Sequence, residues 1–164
     1  MGDDMNAFIQ EMDSKMSAKS FKYFFTEILG FHYSHHHESW EEGLSEHRYY
    51  CVKASRDHGK STLFMAYALW IAHLKPEGGR PWAKSYFEFT NGSRLMAKSV
   101  GGATRGFHPD VVVCDDILWG TTGGELQRAA DWFYGVLLPV LHHSSRLMMV
   151  GTPFSYNDLY AELE

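Results

Sequence analysis

The chain has 164 residues, enough for one globular domain with a real core and too few for a second domain of ordinary size. Fifteen Lys and Arg against twenty Asp and Glu leave a net charge of -5, which argues against a duplex-coating basic module, although a local basic loop can still meet nucleic acid. The two cysteines, Cys51 and Cys114, each sit in an apolar strand-like run, which argues against a disulfide-framed scaffold or a thiolate metal site and reads as core in a reducing compartment.

The opening MGDDMNAFIQEMDSK is acidic and lacks the basic and apolar regions of a signal peptide. The longest apolar stretch, LFMAYALWIAHL at 63–74, is well short of the roughly 20 residues that a membrane-spanning helix needs. The expectation is a soluble, cytoplasmic protein without a membrane partner. Residues 1–20 are polar and weakly patterned, an N-terminal arm or short helix. From Phe21 the line FKYFFTEILGF carries apolar residues at helical spacing and stops at Gly30.

FHYSHHHESWEEGLSEH follows, with His32, His35, His36 and His37 close together. His32 and His36 are four apart and could share a helix face, but no cysteine pair or second ligand group accompanies them, so they read as surface or loop histidines. YYCVKA at 49–54 reads as a short buried strand, and Leu63 to Leu74 as a helix covered on most sides and ended by Pro76 with Gly78 and Gly79. SYFEFTNGSRLMAK at 85–98 reads as a hairpin turning at Asn91-Gly92. After the glycine-rich GGATRGFHPD, the β-branched run VVVCDDILW at 111–119 reads as a strand with helices on both faces and two acids at its end. A loop and a helix bearing Leu126, Ala130, Phe133, Val136 and Leu137 come next, bent or ended by Pro139. RLMMV at 146–150 makes another buried strand, GTPFSYND a loop, and LYAELE the start of a helix. Strand and helix alternate as in a mostly parallel α/β sheet flanked by helices.

Chemistry concentrates where strands end. A phosphate loop of the G-x-x-x-x-G-K-[ST] kind lies between a strand and a helix. Here ASRDHGKS at 54–61 keeps Gly59, Lys60 and Ser61 and has Ala54 at the first glycine, which is tolerated if that position has an ordinary φ. Such a loop turns backbone N–H groups toward phosphate, reaches the β and γ oxygens with lysine, and offers Mg2+ a hydroxyl. Asp115 and Asp116 stand at the end of a separate strand; one carboxylate can help hold Mg2+ and the next can activate water, whereas either alone would read as a solvated turn or cap. Thr152 at the end of a third strand can sense the γ-phosphate or act as a turn residue. Arg56 either faces water or turns its fork to the γ-phosphate, and Arg105 either contacts nucleotide or nucleic acid or serves its loop. Lys98, Arg105 and Arg128 supply scattered positive charge without an aromatic-basic stripe.

In order along residues 21–164, ASRDHGKST, TNGSRLMA with GGATRG, HPDVVVCDDI and MMVGTPFSYNDL resemble the ATPase domain of tailed-phage large terminase subunits, the motors that package DNA into a prohead. The resemblance implies a P-loop NTPase-like domain over 21–164, with ATP and Mg2+ as cofactors. Gly59, Lys60, Ser61, Thr62 and Asp115 would hold nucleotide, and Ser61 and, through water, Asp115 would hold Mg2+. Asp116 would be the catalytic acid position, Arg56 a finger supplied in cis, and Thr152 part of the segment coupling hydrolysis to DNA movement. Implied partners are double-stranded DNA, a portal protein, a small terminase subunit and further copies in a homo-oligomeric ring.

This sequence departs from the family in four ways. Aspartate at 116 stands where many relatives have glutamate, and Ser55 where proline is frequent. Only residues 75–84 connect the phosphate-loop helix to the hairpin, where relatives have a further strand and helix. A counterpart of the family's C-terminal nuclease domain is not expected within these residues. The expected fold is therefore incomplete relative to the family, a truncated or internally deleted form with weak or no motor activity by itself. A different helicase-like P-loop ATPase, and a non-catalytic prophage remnant or interaction module, stay open as alternatives.

Overall fold

The computed structural model describes residues 2–72, 86–89, 92–102, 106–118, 122–153 and 158–163. Within them the chain runs α1 (Gly2–Lys19), α2 (Phe21–Tyr23, continued by a π-helical turn over Phe24–Ile28), α3 (His35–Glu46), β1 (Tyr49–Lys53) and α4 (Lys60–Ile71). It continues through β2 (Tyr86–Glu88), β3 (Arg94–Met96), β4 (Val111–Asp115), α5 (Gly123–Trp132, extended by single π and 3-10 turns to Val140), β5 (Arg146–Gly151) and α6 (Leu159–Glu162).

The alternation of side chains along a strand explains the layers. In β5, Leu147 and Met149 belong to one apolar cluster with Cys114, Ala129, Phe133, Leu137 and Tyr160. Met148 and Val150 belong to the other, with Phe21, Phe25, Val52, Leu63, Phe64 and Tyr67. Residues two apart share a face, so a strand buried on both faces must be apolar throughout, which is why RLMMV shows no polar alternation. β5 pairs in parallel with β1 (Cys51 opposite Met149) and with β4 (Cys114 opposite Met149), giving the order β1-β5-β4. Helices α2 and α4 cover one face and α5 and α6 the other. The expected α/β class is thus present as a small parallel sheet flanked by helices. β2 and β3 pair antiparallel, Tyr86 opposite Met96, as the expected hairpin. Its turn residue Asn91, the stop at Pro76, Gly78 and Gly79, and the connection 75–84 lie outside the described residues.

Two parts differ from the sequence reading. Residues 2–19 form one helix whose last turns are tied to the domain, because Trp70 Nε1 donates to Ser17 O at 2.6 Å and Tyr23 Oη to Asp13 Oδ1 at 2.7 Å. The histidine stretch is the other difference. His35–Glu46 is a helix, and His37 is buried with 4% exposure, so it is not a surface or loop histidine. The C-terminal carbonyls of α3 are met by Arg146 of β5, whose guanidinium donates to Leu44 O, Ser45 O and His47 O at 3.1, 3.3 and 3.4 Å. Helix ends leave such carbonyls unsatisfied, so Arg146 both caps α3 and ties it to the central strand. Among the described residues no helix is long and apolar enough to cross a membrane.

At the end of β5 the ring of Tyr160 leans on Gly151: a Cβ there would lie 2.0 Å from Tyr160 Oη. Tyr160 is buried, so it has nowhere to retreat. Gly151→Ala is expected to cost about 1–3 kcal/mol, measured by urea unfolding. Tyr160→Leu, which removes the clashing ring, should make a second Gly151→Ala change much less damaging; strictly additive losses would show that the two do not press on each other.

Candidate functional site

Parallel pairing brings three strand ends to one edge of the sheet, and the ladder runs on past them. Ala54 N–H donates to Gly151 O at 3.2 Å, and Asp116 N–H to Val150 O at 2.8 Å. The phosphate-like loop after β1 and the acids after β4 therefore leave the sheet on either side of the β5 end.

Gly59 is the N-cap of α4, with φ +70, so Lys60 and Ser61 open the helix. Loop residue Asp57 also has a left-handed φ, +66, a region that Asp tolerates better than most side chains. Ala54 is not among the positive-φ residues, so the position where a glycine is usual needs none here. Lys60 is buried, 5% exposed, and the carboxylate within 4 Å of its ammonium is Asp116, with Nζ to Oδ2 at 3.9 Å. That is too long for a hydrogen bond, and a buried ammonium costs several kcal/mol unless anions meet it.

Ser61 Oγ donates to Asp115 Oδ1 at 2.6 Å. Asp116, with φ +43, turns its carboxylate back to accept the Thr152 N–H at 3.0 Å, and Thr152 Oγ1 donates to Ala54 O at 3.4 Å. Thr152 thus links the second acid to the start of the loop. Lys60, Ser61, Asp115, Asp116 and Thr152 are joined by direct contacts, as are Gly59 and Lys60 by sequence. Arg56 lies exposed in the loop, where its backbone carbonyl accepts from His58 Nδ1 at 2.9 Å. Thr62 is exposed on the first turn of α4, Lys98 and Arg128 are exposed, and Arg105 lies outside the described residues.

The donor set suits a hard cation. A hydroxyl and a carboxylate 2.6 Å apart offer oxygen only, and Mg2+ is ordinarily held by one or two such side chains together with water and substrate phosphate. Among the described residues no group of three or more His, Cys, Asp or Glu is placed to hold a metal ion. Cys114, next to Asp115, is buried, and that burial pushes its thiol up to about 12, leaving it inert beside the site.

Sequence reasoning missed His37. Its Nδ1 accepts the Ser34 N–H at 3.1 Å and its Nε2 lies 3.0 Å from His58 O, behind the loop. Since Nδ1 accepts, Nε2 carries the proton and donates. A signal was present: a side chain three residues after a Ser N-cap is where a capping group reaches back to the helix start. No protein-family model and no curated protein matches the chain.

Burial, together with the like charge that neighbouring His36 and His32 would carry, lowers the His37 pKa below its ordinary 6.5, outweighing the His58 carbonyl. Protonation would also set Nδ1–H against the Ser34 N–H. The neutral ring belongs to the fold, so this contribution to stability is present above pH 6.5 and is lost as pH falls from there through the lower folded value. Thermal unfolding should show a falling Tm between pH 7 and 5, with a shallower slope for His37→Gln; equal slopes would remove His37 from the effect.

Proposed function

We propose that this chain carries the ATP-hydrolysing machinery of a DNA-packaging motor of the tailed-phage terminase type, a P-loop NTPase-like unit that couples hydrolysis to movement of double-stranded DNA in the full-length protein. The observation that carries the reading is the buried Lys60 ammonium at the N-terminus of α4, with Asp116 only at 3.9 Å and the Ser61–Asp115 pair beside it. Phosphate oxygens would supply the negative charge that Lys60 lacks at close range.

In this reading Lys60 binds the β and γ oxygens of ATP, and the N–H groups that open α4 add their positive end. Gly59, Ser61 and Thr62 complete the loop's contacts with nucleotide. Ser61 and Asp115 would hold Mg2+, which neutralises charge on the phosphate oxygens when bound. Asp116, half exposed and oriented by the Thr152 N–H, accepts a proton from the attacking water. The Arg56 guanidinium reaches from the exposed loop to the charge that grows on the γ-phosphate. A proton taken by Asp116 weakens its hold on the Thr152 N–H, and Thr152 in turn touches Ala54, so the acid and the loop can report on each other. The proposed partners are double-stranded DNA, with Arg105 contacting it or the nucleotide, a portal protein, a small terminase subunit and further copies in a ring, all in the host cytoplasm.

Mg2+-dependent ATP hydrolysis by the purified protein is expected to vanish in Lys60→Ala, and equal rates in the two proteins would sink catalysis by this chain and leave the non-catalytic alternative. Asp116→Asn keeps the shape and should lower kcat by about 10²–10⁴-fold with little change in ATP binding. Arg56→Ala should lower turnover by about 10³-fold and binding far less; an equal loss of both would remove the finger role.

A further inference from the structure

We propose that His37 is a positioning residue for the phosphate loop, holding the His58–Gly59 peptide from behind so that the Gly59 N–H faces away from α3 and is set for an anion. The inference rests on the reading of residues 54–61 as a phosphate loop, yet the contact itself comes from a helix that none of the loop's own chemistry requires.

Three observations fix the peptide. The His37 ring is packed edge-on against Phe25 and Tyr33, with centroids at 5.8 and 5.6 Å, and tilted against Trp40 at 5.6 Å. It cannot turn without opening the core. Its tautomer is set by the Ser34 N–H on Nδ1, which leaves Nε2–H aimed at His58 O at 3.0 Å. His36 Nε2 lies 3.1 Å from the same carbonyl oxygen, so both lone pairs have a neighbour.

The peptide geometry then transmits the constraint. The described chain has no cis peptide bond, and in a trans peptide C=O and N–H point in opposite directions. Drawing the His58 carbonyl toward α3 therefore turns the Gly59 N–H the other way. On its far side Gly59 is held as well, since its carbonyl accepts the Leu63 N–H at 2.9 Å in the first turn of α4. The approach is close: a Cβ at 59 would sit 3.1 Å from His37 Nε2, tighter than an ordinary contact, on a backbone with φ +70 that favours glycine. His37 thus fixes the residue that immediately precedes Lys60.

Gln is the informative substitute, because at this third helical position its oxygen can accept the Ser34 N–H while its amide N–H donates to His58 O. Phe keeps the ring and loses both bonds. Hydrogen–deuterium exchange without nucleotide should rise in the peptide spanning residues 55–60 for His37→Phe, stay near wild type for His37→Gln, and remain unchanged in β5 for both. With ATP and Mg2+, His37→Phe should raise KM about tenfold at nearly constant kcat, because a phosphate contact made alike in ground and transition states affects binding alone, and His37→Gln should restore it. Should His37→Phe fail to fold, Gly59→Ala tests the same contact from the loop side and should raise exchange at 55–60 likewise.

Unchanged loop exchange in His37→Phe, or in Gly59→Ala where that variant stands in for it, overturns the clamp whatever the ATPase result. A loosened loop with unaltered KM overturns its positioning role. A loosened loop in a protein whose wild type binds no ATP also overturns that role, but through failure of the nucleotide reading, with the contact itself upheld.

Discussion

The parallel pairing of β5 with β1 on one side and β4 on the other is the constraint on which the rest of the molecule depends. All strand ends of like direction fall on one edge of such a sheet, where ligands of open α/β folds gather. Ala54 and Asp116, one residue past the ends of β1 and β4, still donate their N–H groups to β5 carbonyls, at Gly151 and Val150. A slip of one residue would reverse every side chain of β5 between the two apolar layers. Leu147, Met148, Met149 and Val150 are all buried, so burial on both faces enforces the pairing, and the pairing delivers loop and acids to a common place.

Around that edge the electrostatics are deliberately incomplete within the protein. Two adjacent carboxylates are assigned separately, Asp115 to the Ser61 hydroxyl and Asp116 to the Thr152 N–H, and neither comes close enough to Lys60 to complete a tight ion pair. Asp115 still belongs to β4, and just past the strand end the left-handed backbone at Asp116 turns the chain where its carboxylate meets the Thr152 N–H. A tight lysine–carboxylate pair would satisfy the buried charge internally and compete with an anion. The longer separation leaves that demand open.

Much of the scaffold was legible from residue types. The largely apolar runs YYCVKA, VVVCDDILW and RLMMV contain β1, β4 and β5, and the GKS triplet begins a helix as a phosphate loop would. Lys60, Ser61, Asp115, Asp116 and Thr152 meet, as their positions at strand ends led one to expect. The histidine segment was only partly legible. HHHESWEEGLSE is polar, and beyond the place of His37 three residues after Ser34 nothing local reveals that it turns into a cage of aromatic rings while His35 stays exposed. That distinction arises from the packing of α3 against residues 21–33 and the loop, contacts made only when the chain has folded.

By itself, the sequence determined the core strands, the helices that follow β1 and β4, and the kinds of groups present at each strand end, because these follow from periodicity and residue chemistry within short segments. The tertiary structure alone decided the order β1-β5-β4, the separate partners of the two acids, the capping of α3 by Arg146 and the tautomer of His37. Each of those depends on which donor meets which acceptor across distant parts of the chain. No local propensity encodes such a meeting; it is selected by the joint requirement that apolar faces be covered and buried polar groups be paired.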